Sequence, residues 1–95
     1  MFATVTEFGP GLGRIVMELH LFHVAPGAHS GQSYAHEGQE FIFVLSGRLK
    51  VKLVDQWFEL GPGDSLCFES HQPHSFRNDG AKEATVLWIN TPLTF

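Results

Sequence analysis

Along most of the chain, apolar residues fall into short runs or strict alternation, and each run is closed by Gly, Pro, Asn or Asp. A period of two marks a strand with one face toward a core, and the punctuating residues are those that accept turn geometry. No segment carries a convincing helical spacing. The pattern predicts strands over 15–25, stopped by Pro26-Gly27, over 34–36, over 40–45 ending at Ser46-Gly47, and over 48–53. Further strands follow over 57–60 after a turn at Asp55-Gln56, over 65–68 after the Gly61-Pro62-Gly63-Asp64 corner, over 74–78, and over 83–90 after Asp79-Gly80. About eight strands without an internal repeat make an all-β double-sheet jelly roll or a small barrel, which the pattern does not separate. Residues 1–14 read as an N-terminal edge strand or linker remnant, because Gly9-Pro10-Gly11-Leu12-Gly13 sets Thr4-Val5-Thr6 apart. Residues 15–95 read as the barrel.

Two runs differ in a way that bears on assembly. In 48–53 the leucines and the valine face one way and Arg48, Lys50 and Lys52 the other, so this strand has a wet side. The run Glu40-Phe41-Ile42-Phe43-Val44-Leu45 is apolar on both faces. Such a strand is central in a sandwich or meets a second subunit, and a symmetric homodimer is the expectation.

With 95 residues, 43% of them hydrophobic, the chain holds one domain with apolar area enough for a core. The formal charge is −4 and the basic residues are scattered in sequence, so there is no dense cationic patch for nucleic acid. Cys67 is the only cysteine, which excludes an internal disulfide and fits a reducing, cytoplasmic compartment. It lies between Leu66 and Phe68 and is expected to be a buried, inert thiol. No apolar stretch reaches the roughly 20 residues of a membrane helix, and no leader is evident, so no membrane partner is expected.

Six histidines stand at 20, 23, 29, 36, 71 and 74. The informative set is His36, Glu40 four residues on, and His74 far downstream. Even spacing lets Tyr34, His36 and Glu40 share an interior face around the Glu37-Gly38-Gln39 break, and a distant strand then supplies His74. Two imidazoles and a carboxylate leave open positions on a divalent transition metal such as zinc, iron, nickel or manganese. The alternative is a hydrogen-bonded polar cluster in the barrel mouth. Tyr34, a phenol of ordinary pKa about 10, is read as a contact to a ligand or water rather than a metal ligand. Phe76, two residues beyond His74, is read as a pocket wall, and His71 as solvated at the rim. His20 and His23, three apart, point to opposite faces and cannot form one site.

Tyr34-Ala35-His36-Glu37-Gly38-Gln39-Glu40, followed after six residues by Gly47, resembles the first cupin motif: His-x-His, a short spacer, Glu, six residues, Gly. Gly63, Glu69-Ser70-His71-Gln72-Pro73-His74 and Asn78 resemble the second, with Gly63, His74 and Asn78 in register. The departures are Tyr34 where the first metal-binding His stands, and Glu69 and His71 in place of Pro and Gly. The resemblance spans about 15–95 and implies a double-stranded β-helix with a metal pocket. The ending Val86-Leu87-Trp88-Ile89-Asn90-Thr91-Pro92-Leu93-Thr94-Phe95, with Pro26-Gly27 and Gly61-Pro62-Gly63-Asp64, is similar to the C-terminal sensor domain of XRE-type helix-turn-helix regulators. That resemblance implies a barrel that binds a small metabolite, such as an amino acid or amine, and reaches DNA only through a helical domain outside this chain.

Two functions follow. One is a sensor that passes ligand binding to a DNA-binding domain. The other is a stand-alone metal-dependent enzyme, a dioxygenase or isomerase, for which a facial triad suffices. The sensor is preferred, because the pattern offers no general acid or base apart from the candidate ligands.

Overall fold

The computed structural model describes the backbone of residues 2–5 and the whole of residues 17–91. The glycine-rich stretch 9–13 and the closing 92–95 phrase lie outside the described residues. The strands are β1 (Phe2–Val5), β2 (Met17–Val24), β3 (Gln39–Ser46), β4 (Leu49–Leu53), β5 (Gln56–Leu60), β6 (Ser65–Glu69), β7 (His74–Arg77) and β8 (Ala84–Thr91). No helix occurs among the described residues.

These strands form two antiparallel sheets, one of order β1-β2-β8-β3-β6 and one of order β5-β4-β7. From β3 onward the chain crosses repeatedly between them, which is how a jelly roll wraps one core with two sheets. The inner faces supply that core: Val24, Ile42, Val44, Leu49, Val51, Leu60, Phe68, Ala84, Val86 and Trp88 are buried. The fold is the all-β cupin-type jelly roll that the alternation and the paired motifs lead one to expect.

Strand β3 is central, flanked by β8 and β6. Its inner residues Glu40, Ile42 and Val44 are buried, and Phe41 and Phe43 on the outer face are half-buried. In β4, Leu49 and Val51 turn inward and Lys50 and Lys52 outward, as alternation requires.

Two local expectations are corrected. Residues 34–36 form no strand. Only Tyr34 makes an isolated bridge, to His74, within an irregular segment whose Gly31 and Gly38 hold positive φ. Hydrogen bonds pin this segment along β7: Gly27 N–H to Asn78 O, Ser30 N–H to Phe76 O, and Tyr34 N–H to His74 O. Cys67 is exposed rather than buried. It lies on edge strand β6, where Leu66 and Phe68 turn inward and Cys67 faces outward, opposite Phe41.

One turn is strained. The β4–β5 hairpin closes through Val54 and Asp55, and Val54 sits at φ +59°, where a β-branched residue crowds its own backbone. Its N–H donates to Pro73 O at 2.7 Å, so the strained residue also anchors the loop that leads into His74. Val54→Asn keeps that N–H and tolerates the left-handed conformation. It should raise stability by about 1 kcal/mol, read as a rise in Tm of about 4–8 °C; an unchanged or lower Tm would show that the valine is unstrained.

Candidate metal and ligand site

Three chain segments bring the site together. Gly38 lets the chain turn from His36 into β3, and His36 N–H to Ser70 O with Ser70 N–H to Gly38 O fastens this corner to the end of β6. Glu40 follows on the inner face of β3. His74 opens β7 on the opposite sheet, after a turn in which Gln72 N–H donates to Glu69 O. Glu40 and His74, thirty-four positions apart, thereby meet in the interior, with side chains only 2% and 1% exposed. His36 sits nearer the mouth.

The geometry converges on one carboxylate oxygen. Glu40 Oε2 lies 2.9 Å from His74 Nε2 and 3.2 Å from His36 Nε2. The other oxygen, Oε1, accepts a 2.7 Å hydrogen bond from the indole N–H of Trp88 on β8, which fixes the rotation of the carboxylate. Both imidazoles are oriented from behind, with Nδ1 of His74 2.8 Å from Gln72 O and Nδ1 of His36 3.1 Å from Glu37 O. A carbonyl accepts only, so Nδ1 carries the hydrogen in each ring, and a neutral ring then presents a bare Nε2 lone pair to Glu40.

Two lone pairs and a carboxylate oxygen facing one another are repulsive unless a cation stands among them, whether a proton or a metal. Nε2 of His74 and Oε2 of Glu40 are both fully buried, and while the His74 ring is neutral neither has a hydrogen-bond partner; a proton on Nε2 joins them. The candidate ligand atoms all lie within 4.8 Å of one another. Ligands at about 2.0–2.2 Å from a tetrahedral zinc are roughly 3.5 Å apart, so the residues fit such an ion after small adjustments. A backbone carbonyl behind each imidazole is also the usual outer support of a metal-binding histidine.

The charges of the protein without metal follow from the same contacts. Burial alone would raise the Glu40 carboxyl, but hydrogen bonds from His74 and Trp88 outweigh it and hold the pKa below 4.5. Burial would lower His74, but its bonds to Glu40 and to the Gln72 carbonyl win and lift it above 6.5. Tyr34 is pushed up to about 12 by burial and by the Glu40 charge, so near neutrality it is a phenol and not a phenolate.

The predicted site residues fall as follows. His36, Glu40 and His74 are together. The Tyr34 ring lies 4.4 Å from that of His74 and 6.2 Å from that of His36, with the residue 40% exposed at the mouth. Phe76 packs against Trp88, ring centres 5.2 Å apart. His71 is exposed. His20 and His23 do lie on opposite faces, His20 inward beside Glu18 at 3.3 Å and His23 outward beside Glu83 at 3.2 Å.

Sequence reasoning missed the indole of Trp88 as the second partner of Glu40, although a strand tryptophan that is buried needs an acceptor for its N–H. It also missed a polar row on the inner face, Glu18, Asn90 and Glu40, on neighbouring strands β2, β8 and β3. Asn78 serves the fold rather than the pocket. Its amide donates to Val24 O at 2.9 Å and Lys82 O at 2.8 Å, and its Oδ1 accepts from Gly80 N–H at 2.9 Å.

Comparison with known proteins places this geometry in context. The sequence pattern of the Cupin domain family (Cupin_2) matches residues 20–90. The HTH-type transcriptional regulator PuuR of Escherichia coli (strain K12) is 33% identical over 70 residues, which are 74% of this chain and 38% of that protein. The matched stretch therefore covers well under half the length of that relative. The Cupin_2 domain of an XRE family transcriptional regulator from Enterobacter cloacae superposes with a TM-score of 0.71 at 24% identity, covering 99% of this chain and 97% of that one. A putative sugar phosphate isomerase from Acidithiobacillus ferrooxidans gives a TM-score of 0.71 at 32% identity, over 81% of this chain and 51% of that one.

Proposed function

This chain belongs to the cupin domain family, and from that premise we propose that it is the small-molecule-sensing domain of a transcriptional regulator, with a divalent transition metal held by His36, Glu40 and His74. The observation that carries the reading is the convergence of two oriented Nε2 lone pairs on Glu40 Oε2 in a buried setting that calls for a cation. Zinc, iron, nickel and manganese all suit this ligand set. When bound, such an ion offers open coordination positions to oxygen or nitrogen atoms of a metabolite. Tyr34 then supplies a neutral hydroxyl at the mouth, and Phe76 with Trp88 an apolar wall. The likeness to PuuR supports the regulatory role, with DNA reached only through a helix-turn-helix domain outside this chain and the whole working in the cytoplasm.

A second reading, a stand-alone metal-dependent enzyme, is favoured by the 32% identity to the Acidithiobacillus protein. Elemental analysis of purified protein comes first: wild type should carry close to one equivalent of metal and His36→Ala far less. Equal metal contents would remove the metal from both readings. Thermal-shift screening of the loaded protein then separates them, since a sensor is stabilised by a compound it leaves intact and an enzyme consumes it.

The reading includes a homodimer. Leu19, Phe41, Phe43, Leu87 and Ile89 line up across β2, β8 and β3 on the outer face of the larger sheet, an apolar surface suited to self-association about a two-fold axis. Sedimentation should give a dimer for wild type and a folded monomer for Phe43→Lys. A wild-type monomer at concentrations of about 0.1 mM would remove the dimer from the reading.

A further inference from the structure

The basic residues scatter in sequence but gather in space. Of the six Lys and Arg, four (Arg48, Lys50, Lys52 and Arg77) belong to the outer face of the β5-β4-β7 sheet or its margin. This chain is otherwise acidic. Registers place Glu59, Lys50, Arg77 and His29 in one cross-strand row, and Trp57, Lys52 and Ser75 in the next.

Such a surface works against the fold in one respect. Lys50 and Arg77 stand directly opposite each other, an arrangement that destabilises a sheet. Asp79 relieves part of it, accepting from Arg77 Nε at 2.9 Å and lying 3.3 Å from Lys50 Nζ. Lys52 has no such relief, because no carboxylate lies within ion-pair distance of it among the described residues. Its ammonium sits 5.8 Å from the centre of the Trp57 ring, which the Arg77 guanidinium also covers at 4.3 Å. Two cations thus share one indole with a single carboxylate beside them.

Beside this pair opens a cleft of about 510 Å³, lined by Lys52, Trp57, Ser75, Arg77 and, from the irregular segment, His29 and Ser33, with Asp79 at its edge. That volume is within the range of small-molecule sites. Its walls are held from both sides: Ser30 Oγ accepts from Phe76 N–H at 2.9 Å, and His29 Nδ1 accepts from Gly31 N–H at 3.0 Å. With Nδ1 an acceptor, the ring proton of His29 is on Nε2, which makes that atom a donor. Asp79 Oδ2 engages Nε of Arg77 at 2.9 Å, and a guanidinium carries four further N–H donors on its terminal amino groups.

We propose that this cleft is a second binding site, separate from the barrel interior, for a small molecule carrying an oxyanion, either a carboxylate or a phosphate ester, gripped by Lys52 and Arg77 with Ser75 and His29 as further donors. An anion there neutralises Lys52 and removes the repulsion across the indole, and the rigid sheet beneath keeps the donors in place without further ordering. Glu59 and Asp79 interrupt the face, which does not suit an extended polyanion.

The test is a ¹H–¹⁵N NMR titration of the metal-free protein in 0.15 M NaCl with inorganic phosphate and, separately, with succinate. Saturable shifts of the Trp57 indole and of the Lys52, Ser75 and Arg77 amides, with a Kd of about 1 mM or tighter for at least one probe, are expected. Which probe binds more tightly identifies the class of oxyanion. Lys52→Gln should weaken binding about tenfold or more, the value of one charge-assisted hydrogen bond, and Lys82→Gln should leave it unchanged. Linear shifts that never saturate, equal losses in the two variants, or shifts centred on His36 and His74 would each overturn the proposal. Because the protein is free of metal, these outcomes do not depend on the sensor reading.

Discussion

Glu40→Gln is expected to weaken metal binding at least about 10²-fold while leaving the protein folded. The substitution keeps an acceptor for the Trp88 indole N–H, so the amide inherits the fixed rotation of the carboxylate. Its NH2 group then occupies the place of Oε2, 2.9 Å from His74 Nε2 and 3.2 Å from His36 Nε2. Each amide hydrogen can meet one lone pair, so the mutual repulsion of three electron-pair donors is answered by hydrogen bonds instead of by a cation. A metal loses its one anionic ligand and must also break these bonds. With about 10–16 kcal/mol shared among four ligands in structural zinc sites, one ligand is worth about 3–4 kcal/mol, a loss of at least about 10²-fold in affinity. Isothermal titration with zinc and nickel, alongside a thermal melt without metal, checks both halves. A variant that still binds metal at wild-type strength would show that Glu40 is not a ligand.

The same pair sets the pH dependence of the metal-free protein. His74 has a pKa raised above 6.5 in the fold, so its contribution is complete below that value and is lost as pH rises through the folded pKa. Glu40 has a pKa lowered below 4.5, so its contribution is complete above that value and is lost as pH falls through the folded pKa. Stability should therefore be greatest between about pH 4.5 and 6.5 and decline on both sides, and Glu40→Gln should flatten both arms. Metal affinity has the opposite bias at acid pH, because the ion must displace the His74 proton.

Much of this arrangement was legible in the chain, and particular residues show why. Alternation in 48–53 gave both faces of β4, since a strand with one wet side writes its orientation into its polarity. The grouping of His36, Glu40 and His74 was legible because His36 and Glu40 are local and His74 is fixed by a second motif. Partner and order were not. Nothing local states that β8 lies between β2 and β3, so the contact of Trp88 with Glu40, forty-eight positions away, could be found only in space. Cys67 misled because an apolar neighbourhood in sequence says nothing about which side of an edge strand is covered. The cationic face was hidden for a related reason: Arg48, Lys50 and Lys52 read as an ordinary wet side until β7 brings Arg77 opposite Lys50.

Gly47 and Gly63, both glycines of the two motifs, should respond very differently to alanine. Their backbones are alike, with φ of +77° and +86°, so each pays the cost of a left-handed residue, about 1–2 kcal/mol, partly offset by about 0.4–1 kcal/mol from the stiffer unfolded chain. At Gly63 nothing lies within 4 Å of a new Cβ, so Gly63→Ala should cost only about 1 kcal/mol. At Gly47 the same atom would meet Glu83 O at 2.5 Å and Ala84 Cα at 2.7 Å. Those are backbone atoms at the start of β8, whose pairing with β2 and β3 leaves them little room to retreat. Gly47→Ala must therefore separate the β3–β4 corner from β8, beside Val44, Ala84 and Val86 in the core. A loss of more than about 3 kcal/mol is expected, a fall in Tm of at least about 12 °C, with Gly63→Ala shifting it by about 4–8 °C. Equal shifts for the two variants would mean that backbone conformation alone, and not the close approach of β8, places glycine at 47.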